Sequence, residues 1–474
     1  MLKLSLVFKK YLFWWVLMLV VVIPLYPKFP LFNVPGTYVA IRLEDFLIAA
    51  AIGWWIVVIL PYLKNFFKDT LTQAFFLFWA IGALSLFSGI FLTQTVIFHL
   101  GFLHYLRRIE MMMLFFVAAT AITSIRQIKL LLVSMFVVGL VVILYGFGQQ
   151  WLSFPVISTT NKEFSKGLIL FLSPDARVNS TFAGHYDLAA YLSVFLVILL
   201  AFLFYFKDYK LKIIAVLTGL LGFVLLALTA ARVSFLAMVL GTVVLICFLG
   251  QKKLIFVILT MSLLAFVISP DLRHRTVATL TVNLLGGGGA KYTPPPQKSN
   301  PTKTFSIENA IPGFATPAGV PVDIAPGEPL NTTELGVYRS FGIRLNEEWP
   351  RAIRAFTKNP LLGTGYSSIS IASDNDYLRS LGETGLLGTI SFILIFTLLI
   401  KKIWNTIRKS SKNLFWYLNL GLLCSLVTLA ITALFIDVLE SSKIAQLLWL
   451  ILGVNFASSN LDQSEKKPLL KTFS

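Results

Sequence analysis

Charge is what this sequence has least of. Asp, Glu, Lys and Arg make up 13% of its 474 residues, about half of the ~25% usual in soluble domains. Hydrophobic residues make up 57% and mean hydropathy is +0.80. That balance excludes an ordinary soluble enzyme. Acids are scarcer than bases, 22 against 40, for a net charge of +18. Such a charge can mark nucleic-acid binding. Here many of the bases fall in short connections between apolar runs, where they set membrane topology, so nucleic acid is not expected as a partner. The two cysteines, Cys247 and Cys424, lie inside apolar runs, which excludes a disulfide framework and a cysteine metal cluster. His99, His104, His185 and His274 show no metal-ligand spacing. No Gly-x-Ser-x-Gly or His-Glu-x-x-His occurs. Gly286 to Gly289 do not form a phosphate loop, because no strand precedes them and no Gly-Lys-Ser/Thr follows. No metal or other cofactor is expected. Residues 1–10 are basic, and the apolar run after them reaches Pro24 and Pro27 without a small-residue cleavage site, so the first span is expected to be kept. No internal repeat is visible.

What the chain has in abundance is apolar runs near the ~20 residues that cross a bilayer. They fall at about 11–27, 45–63, 71–91, 106–123, 127–149, 186–206, 211–230, 232–250, 252–269, 378–400, 413–436 and 441–457. The expected fold is an all-α polytopic membrane protein of about twelve transmembrane helices. Lys3, Lys9, Lys10, Lys64, Lys68, Arg126, Lys129, Lys207, Lys210, Lys212, Lys252, Lys253 and the bases of 401–412 all fall on one side if both termini are cytoplasmic. The region 91–106 is ambiguous and could hold an interfacial segment from Phe98 to Tyr105. Residues 1–269 then form nine spans, 270–377 a large extracytoplasmic loop, 378–457 three more spans and 458–474 a cytoplasmic tail. Within the loop, 286–330 is rich in Gly, Pro, Ser and Thr and is expected to be flexible. Residues 343–360 read as a helix, with Pro350 in its first turn and Asn359-Pro360 ending it. Arg351, Arg354 and Lys358 share one face of it.

Several charges stand at the outer ends of spans: Arg42 beside Glu44 and Asp45, Arg107 and Arg108 before Glu110, Arg177 and His185, and Asp437 with Glu440. Singly, each reads as a snorkelling or paired interfacial charge. Arg232 differs, because it is the only charge between Lys212 and Lys252 and sits at a hairpin tip. A cation placed so suggests a phosphate or carboxylate partner. The stretch Gly363 to Gly388 joins the polar loop to the next span and contains Asp374, Asn375, Asp376, Tyr377, Arg379 and Glu383. Asp374-Asn375-Asp376 also spells the Asp-x-Asp of metal-dependent nucleotide-sugar enzymes. The expected topology puts it outside, where nucleotide sugars are not available.

Five stretches together resemble the bacterial O-antigen ligase and O-antigen polymerase family of membrane glycosyltransferases. They are IRLED from Ile41, LRRIEMM from Leu106, TAARVSF from Thr229, IRLNEEWPRAIRAFTKNPLLGTGY from Ile343 and SDNDYLRSLGETGLLG from Ser373. The resemblance implies transfer or polymerisation of a glycan from undecaprenyl diphosphate at the outer face of the bacterial cytoplasmic membrane. It implies no nucleotide sugar and no metal. The expected partners are the undecaprenyl-diphosphate-linked glycan, membrane lipid and other polysaccharide-assembly proteins. Arg232 and Arg344 are the expected diphosphate clamp and Asp374 the expected base, with Asp376 or Glu383 as alternatives. Arg177, Arg351, Arg354, Asn375, Tyr377, Arg379 and Glu383 are expected to bind substrate around them. Ligases usually carry His-Asn where this chain has Asp374-Asn375, which favours the polymerase over the ligase. Transfer to protein serines stays open. The runner-up is a transporter or flippase of lipid-linked glycans, and a non-catalytic membrane scaffold is the third reading.

Overall fold

A computed structural model describes residues 2–27, 30–33, 40–156, 171–172, 176–282, 332–369 and 373–466. The stretch 286–330, where flexibility is expected, lies outside the described residues. Among the described residues the regular structure is helical apart from one short antiparallel pair, β1 (Pro30–Asn33) and β2 (Ala40–Arg42). The protein is an all-α polytopic membrane protein.

The helices stand where the apolar runs are, and polar side chains start many of them. α1 (Leu2–Leu25), α2 (Leu43–Ile59), the short α3 (Leu63–Phe66) and α4 (Thr70–Phe87) come first. Asp69 starts α4 by accepting from the Thr72 amide at 2.9 Å. α5 (Phe98–Ala121) and α6 (Ile125–Trp151) follow, with a Ser124–Gln127 capping box opening α6. α7 (His185–Tyr205), α8 (Tyr209–Leu228) and α9 (Arg232–Leu249) are next, and Gly250 ends α9 at φ +75°. α10 (Lys253–Ile268) turns by 103° into α11 (Pro270–Thr281). Pro270 sits in the first turn of α11, and the Ser269 hydroxyl caps it. After the undescribed stretch come α12 (Thr332–Ile343) and α13 (Trp349–Lys358), joined by a π turn at Arg344–Glu348. α14 (Asp376–Lys409), α15 (Leu414–Thr432) and α16 (Ser442–Lys466) complete the chain.

Ten helices among the described residues are long and apolar enough to cross a membrane, or eleven if the bent pair counts as one span. Two of the expected spans explain the difference from twelve. α10 is 16 residues long and stops short of ~20 before its bend. α5 is 24 residues long but carries Arg107, Arg108 and Glu110 in its middle. The segment from Phe98 to Tyr105 is the start of α5. Residues 458–466, expected as tail, continue α16 as helix.

α16 packs on α5, α15 on α7 and α9, α14 on α4, and α1 on α2. α10 is the loosest member, with Ala265 alone fully buried. One end of the bundle is tied by polar contacts. Arg42 Nη1 donates to Ser442 Oγ at 2.9 Å. The fully buried Lys443 donates to the carbonyls of Pro24 at 3.1 Å and Thr181 at 2.8 Å. Arg108 pairs with Glu440. These contacts draw α1, α2, α5 and α16 together at the end where the candidate site lies.

Candidate functional site

The bend between α10 and α11 returns the chain to the start of α9, and this positions Arg232. The tip before it turns through Ala230 at φ +51°. Arg232 is the first helical residue, and its Nη1 donates to the Arg275 carbonyl at 3.0 Å and to Thr279 Oγ1. Both acceptors belong to α11 and both are neutral. Arg275, Arg344 and Arg177 act on Arg232 as like charges.

Arg232 and Arg344 line one cavity of about 690 Å³. Its walls are mainly apolar: Val233, Leu236 and Val239 of α9, Leu259, Leu263 and Phe266 of α10. Arg344 reaches it from the π turn, a geometry that is frequent at functional sites. The buried Arg344 donates to Ser340 Oγ at 2.7 Å and pairs with Asp374 Oδ2 at 2.7 Å. The chain thus brings Arg232, Arg344 and Asp374 together from three separate elements.

Asp374 has φ +47°, a left-handed conformation that costs a non-glycine residue about 1–3 kcal/mol. Asp437 holds it there from both sides. Its carboxylate accepts from the Ser373 amide and hydroxyl, each at 2.8 Å, and from the Asn375 amide at 3.0 Å. Burial raises the Asp374 carboxyl above its ordinary range, Arg344 opposes this, and Asp437 adds to it. Glu348 closes the π turn. Burial first, then the Asp374 carboxylate, pushes it up to about 7 against the pull of Arg344. Burial, then the like charge of Arg275, holds the Arg177 guanidinium below its ordinary range. Arg177 Nη1 lies 2.7 Å from His185 Nε2, at the start of α7.

The other expected site residues separate into two groups. Asn375, Tyr377, Arg379 and Glu383 fasten the start of α14. Asn375 Oδ1 caps the helix through the amides of Tyr377 and Leu378, and its Nδ2 donates to the Leu434 carbonyl at 3.2 Å. Tyr377 donates to the Ala430 carbonyl at 2.8 Å. Arg379 and Glu383 are buried, with Arg379 3.7 Å from Asp437. Asp376 and Glu383, the alternative bases, line a small separate pocket with Arg108 and Tyr366. Arg351 and Arg354 lie on α13, and neither is among the side chains lining the large cavity. Arg354 is exposed, while Arg351 reaches Glu348 electrostatically.

The Gly363-Thr364-Gly365 turn is a clamp. Its amides at Thr364 and Gly365 donate to the carbonyls of Gly382 and Glu383, both at 2.9 Å. Leu386 and Leu387 donate back to the carbonyls of Pro360 and Leu361 at 2.8 and 3.1 Å. Gly385 kinks α14 there at φ +65°, and a Cβ on it would collide with the Leu361 carbonyl oxygen.

Three contributors were not legible in the chain. Glu348 is one of two adjacent acids, Glu347 and Glu348, and the π turn that sets it near Arg344 and Asp374 has no sequence signature. Arg275 sits in a polar stretch after a span, and only the bend carries it to Arg232. Asp437 read as an interfacial charge, whereas it organises the backbone around Asp374. No protein-family model matches the chain, and no curated protein matches it at a significant level. What the site does has to be read from its own chemistry.

Proposed function

We propose that the protein is a membrane glycosyltransferase of the outer face of the bacterial cytoplasmic membrane, acting on an undecaprenyl-diphosphate-linked glycan in surface-polysaccharide assembly. The observation that carries this reading is the pairing of two guanidiniums, Arg232 and Arg344, with an apolar cavity of about 690 Å³. An amphiphile with an anionic head and a long hydrocarbon tail matches both parts. Guanidiniums suit phosphate because their planar fork donates two hydrogen bonds at once. When a glycosidic bond to diphosphate breaks, the leaving group gains negative charge. Donors already in place stabilise that charge without reorganising. The resemblance of TAARVSF and of 343–388 to the O-antigen ligase and polymerase family supports the same reaction. Asp374 in place of histidine favours the polymerase.

The test is glycan chain length in cells carrying each variant at equal protein abundance. Arg232→Ala and Arg344→Ala shorten or abolish the polymer on this reading. Wild-type lengths in both would end it. The break between α10 and α11 favours a second reading, since interrupted helices recur at transporter binding sites. A flippase moves the lipid-linked glycan across vesicles without releasing undecaprenyl diphosphate, so measuring that release separates the two.

A further inference from the structure

We propose that the turn from Arg344 to Trp349 forms a sugar-acceptor subsite, in which Glu348 takes the proton of the attacking hydroxyl and the Trp349 indole holds the acceptor. The inference rests on the glycosyl-transfer reading and adds to it the acceptor side of the reaction.

Three polar atoms of this short stretch are buried without a hydrogen-bond partner: Arg344 Nε, Glu348 Oε2 and Trp349 Nε1. Native proteins rarely leave such atoms unsatisfied, and those that remain call for a ligand or a function. Two are donors and one is an acceptor. A sugar hydroxyl both donates and accepts, so adjacent sugar hydroxyls satisfy this set. The stretch also borders the cavity. Arg344 lines it, and the Trp349 ring lies 6.2 Å from the ring of Phe435, which lines it too. An acceptor held here would meet a donor sugar whose diphosphate lies against Arg232 and Arg344.

The other carboxylates nearby are committed. Asp374 Oδ2 pairs with Arg344 at 2.7 Å, which makes Asp374 a positioning residue for that guanidinium. Asp437 accepts three hydrogen bonds from 373–375. Asp376 accepts from the Leu439 amide at 3.0 Å and shares a separate pocket with Glu383. Glu348 alone among these offers a buried oxygen with no hydrogen-bond partner, four residues from the cavity-lining Arg344.

In the step, the acceptor hydroxyl oxygen forms a bond to the anomeric carbon of the donor sugar. The bond from that carbon to the diphosphate breaks, and its electron pair stays on the phosphate oxygen. The hydroxyl proton passes to Glu348 Oε2 and afterwards to water. The released undecaprenyl diphosphate carries one more negative charge than when esterified, and it faces the two guanidiniums. The groups that act on Glu348 are the carboxylates of Asp374 and Asp437 and the guanidiniums of Arg344, Arg351 and Arg379. Burial outweighs them and brings its titration to about 7.

The test uses the full-length protein in proteoliposomes with lipid-linked glycan extracted from its host's membranes, and follows undecaprenyl diphosphate release against pH. The wild-type rate rises with pH through about 7, as Glu348 loses its proton. Glu348→Gln keeps the shape, removes that rise, and lowers the rate on the order of 10²–10⁴-fold. Retention of added undecaprenyl diphosphate is unchanged, which shows that the variant is folded. Glu348→Asp keeps part of the rate. Trp349→Phe raises the acceptor KM and leaves donor retention alone. A wild-type rate in Glu348→Gln, or a rise near neutrality that persists in it, overturns the proposal. A rise removed instead by Asp374→Asn assigns the proton to Asp374 and overturns it equally. A wild-type protein that retains undecaprenyl diphosphate but never releases it from the glycan fails the glycosyl-transfer reading itself, and the proton assignment falls with it.

Discussion

Two groups of arginines sit at the same end of the bundle, and their partners differ. Arg42, Arg108 and Arg379 each have a carboxylate within 4 Å: Glu44 at 3.7 Å, Glu440, and Asp437 at 3.7 Å. Arg232 and Arg177 instead meet a carbonyl, a hydroxyl and an imidazole. Arg344 stands between the two groups, paired with Asp374 yet lining the cavity. The first group ties helices together, and its field is largely cancelled where it arises. In the second, Arg232 keeps positive charge directed at a space with apolar walls, while Arg177 lies outside that lining. Partner type, more than burial, separates a fastening arginine from one able to attract an external anion.

The sharpest way to break the comparison is to strip the first group of its acid. Asp437→Ala removes the acceptor for 373–375 and leaves Arg379 buried without that carboxylate. Losing one partner of a buried pair costs about 3–5 kcal/mol, so the detergent-solubilised variant should unfold at clearly lower temperature. Unchanged thermal stability would show that this group does not fasten the fold.

Arg232→Ala should act the other way, with turnover falling on the order of 10²–10³-fold by analogy with the loss of one oxyanion donor. Its unfolding temperature should stay near wild type. Arg232→Lys should not recover the rate, since a point charge lacks the planar fork. Full recovery by lysine would mean that bulk charge suffices.

Gly385→Ala tests the clamp that carries the paired group. Positive φ and overpacking against the Leu361 carbonyl should together cost about 2–4 kcal/mol. Thermal unfolding again reports it, and a neutral result would mean that the kink is not fixed by this contact. The smallest effect should come from Thr279→Val, which takes away one hydroxyl that orients Arg232. The donor is a guanidinium, whose hydrogen bonds are worth about 1.5–3 kcal/mol. Arg232 keeps its Arg275 carbonyl acceptor, so the rate should fall at most roughly 10- to 100-fold with stability kept.

Much of the architecture was legible because a bilayer imposes a simple rule. Every backbone polar group must be satisfied within its own segment, so an apolar run of sufficient length becomes a helix. That rule placed α2, α4, α6 to α9 and α15 within a few residues, whereas α1, α14 and α16 each run well past the expected span at one end. It did not see that α5 keeps three charges mid-helix or that α10 stops and turns, because both depend on neighbours. Arg232 stood out by isolation, and isolation is a property of sequence. Arg379 and Glu383 stood out by charge at the mouth of a span, and the tertiary structure buries both outside the lining of the large cavity.

The sequence by itself determined the class of protein, the positions of most spans and the candidacy of Arg232, since hydrophobic length and the rarity of charge are local quantities. Only the tertiary structure decided which charges are cancelled. A guanidinium is neutralised by whatever carboxylate comes within about 4 Å, and that distance is set by helix packing, by the bend at Ser269 and by the π turn that carries Arg344 and Glu348. Arg232 and Arg344, far apart in sequence, line one cavity for that reason, and Asp374 joins them only through its pair with Arg344.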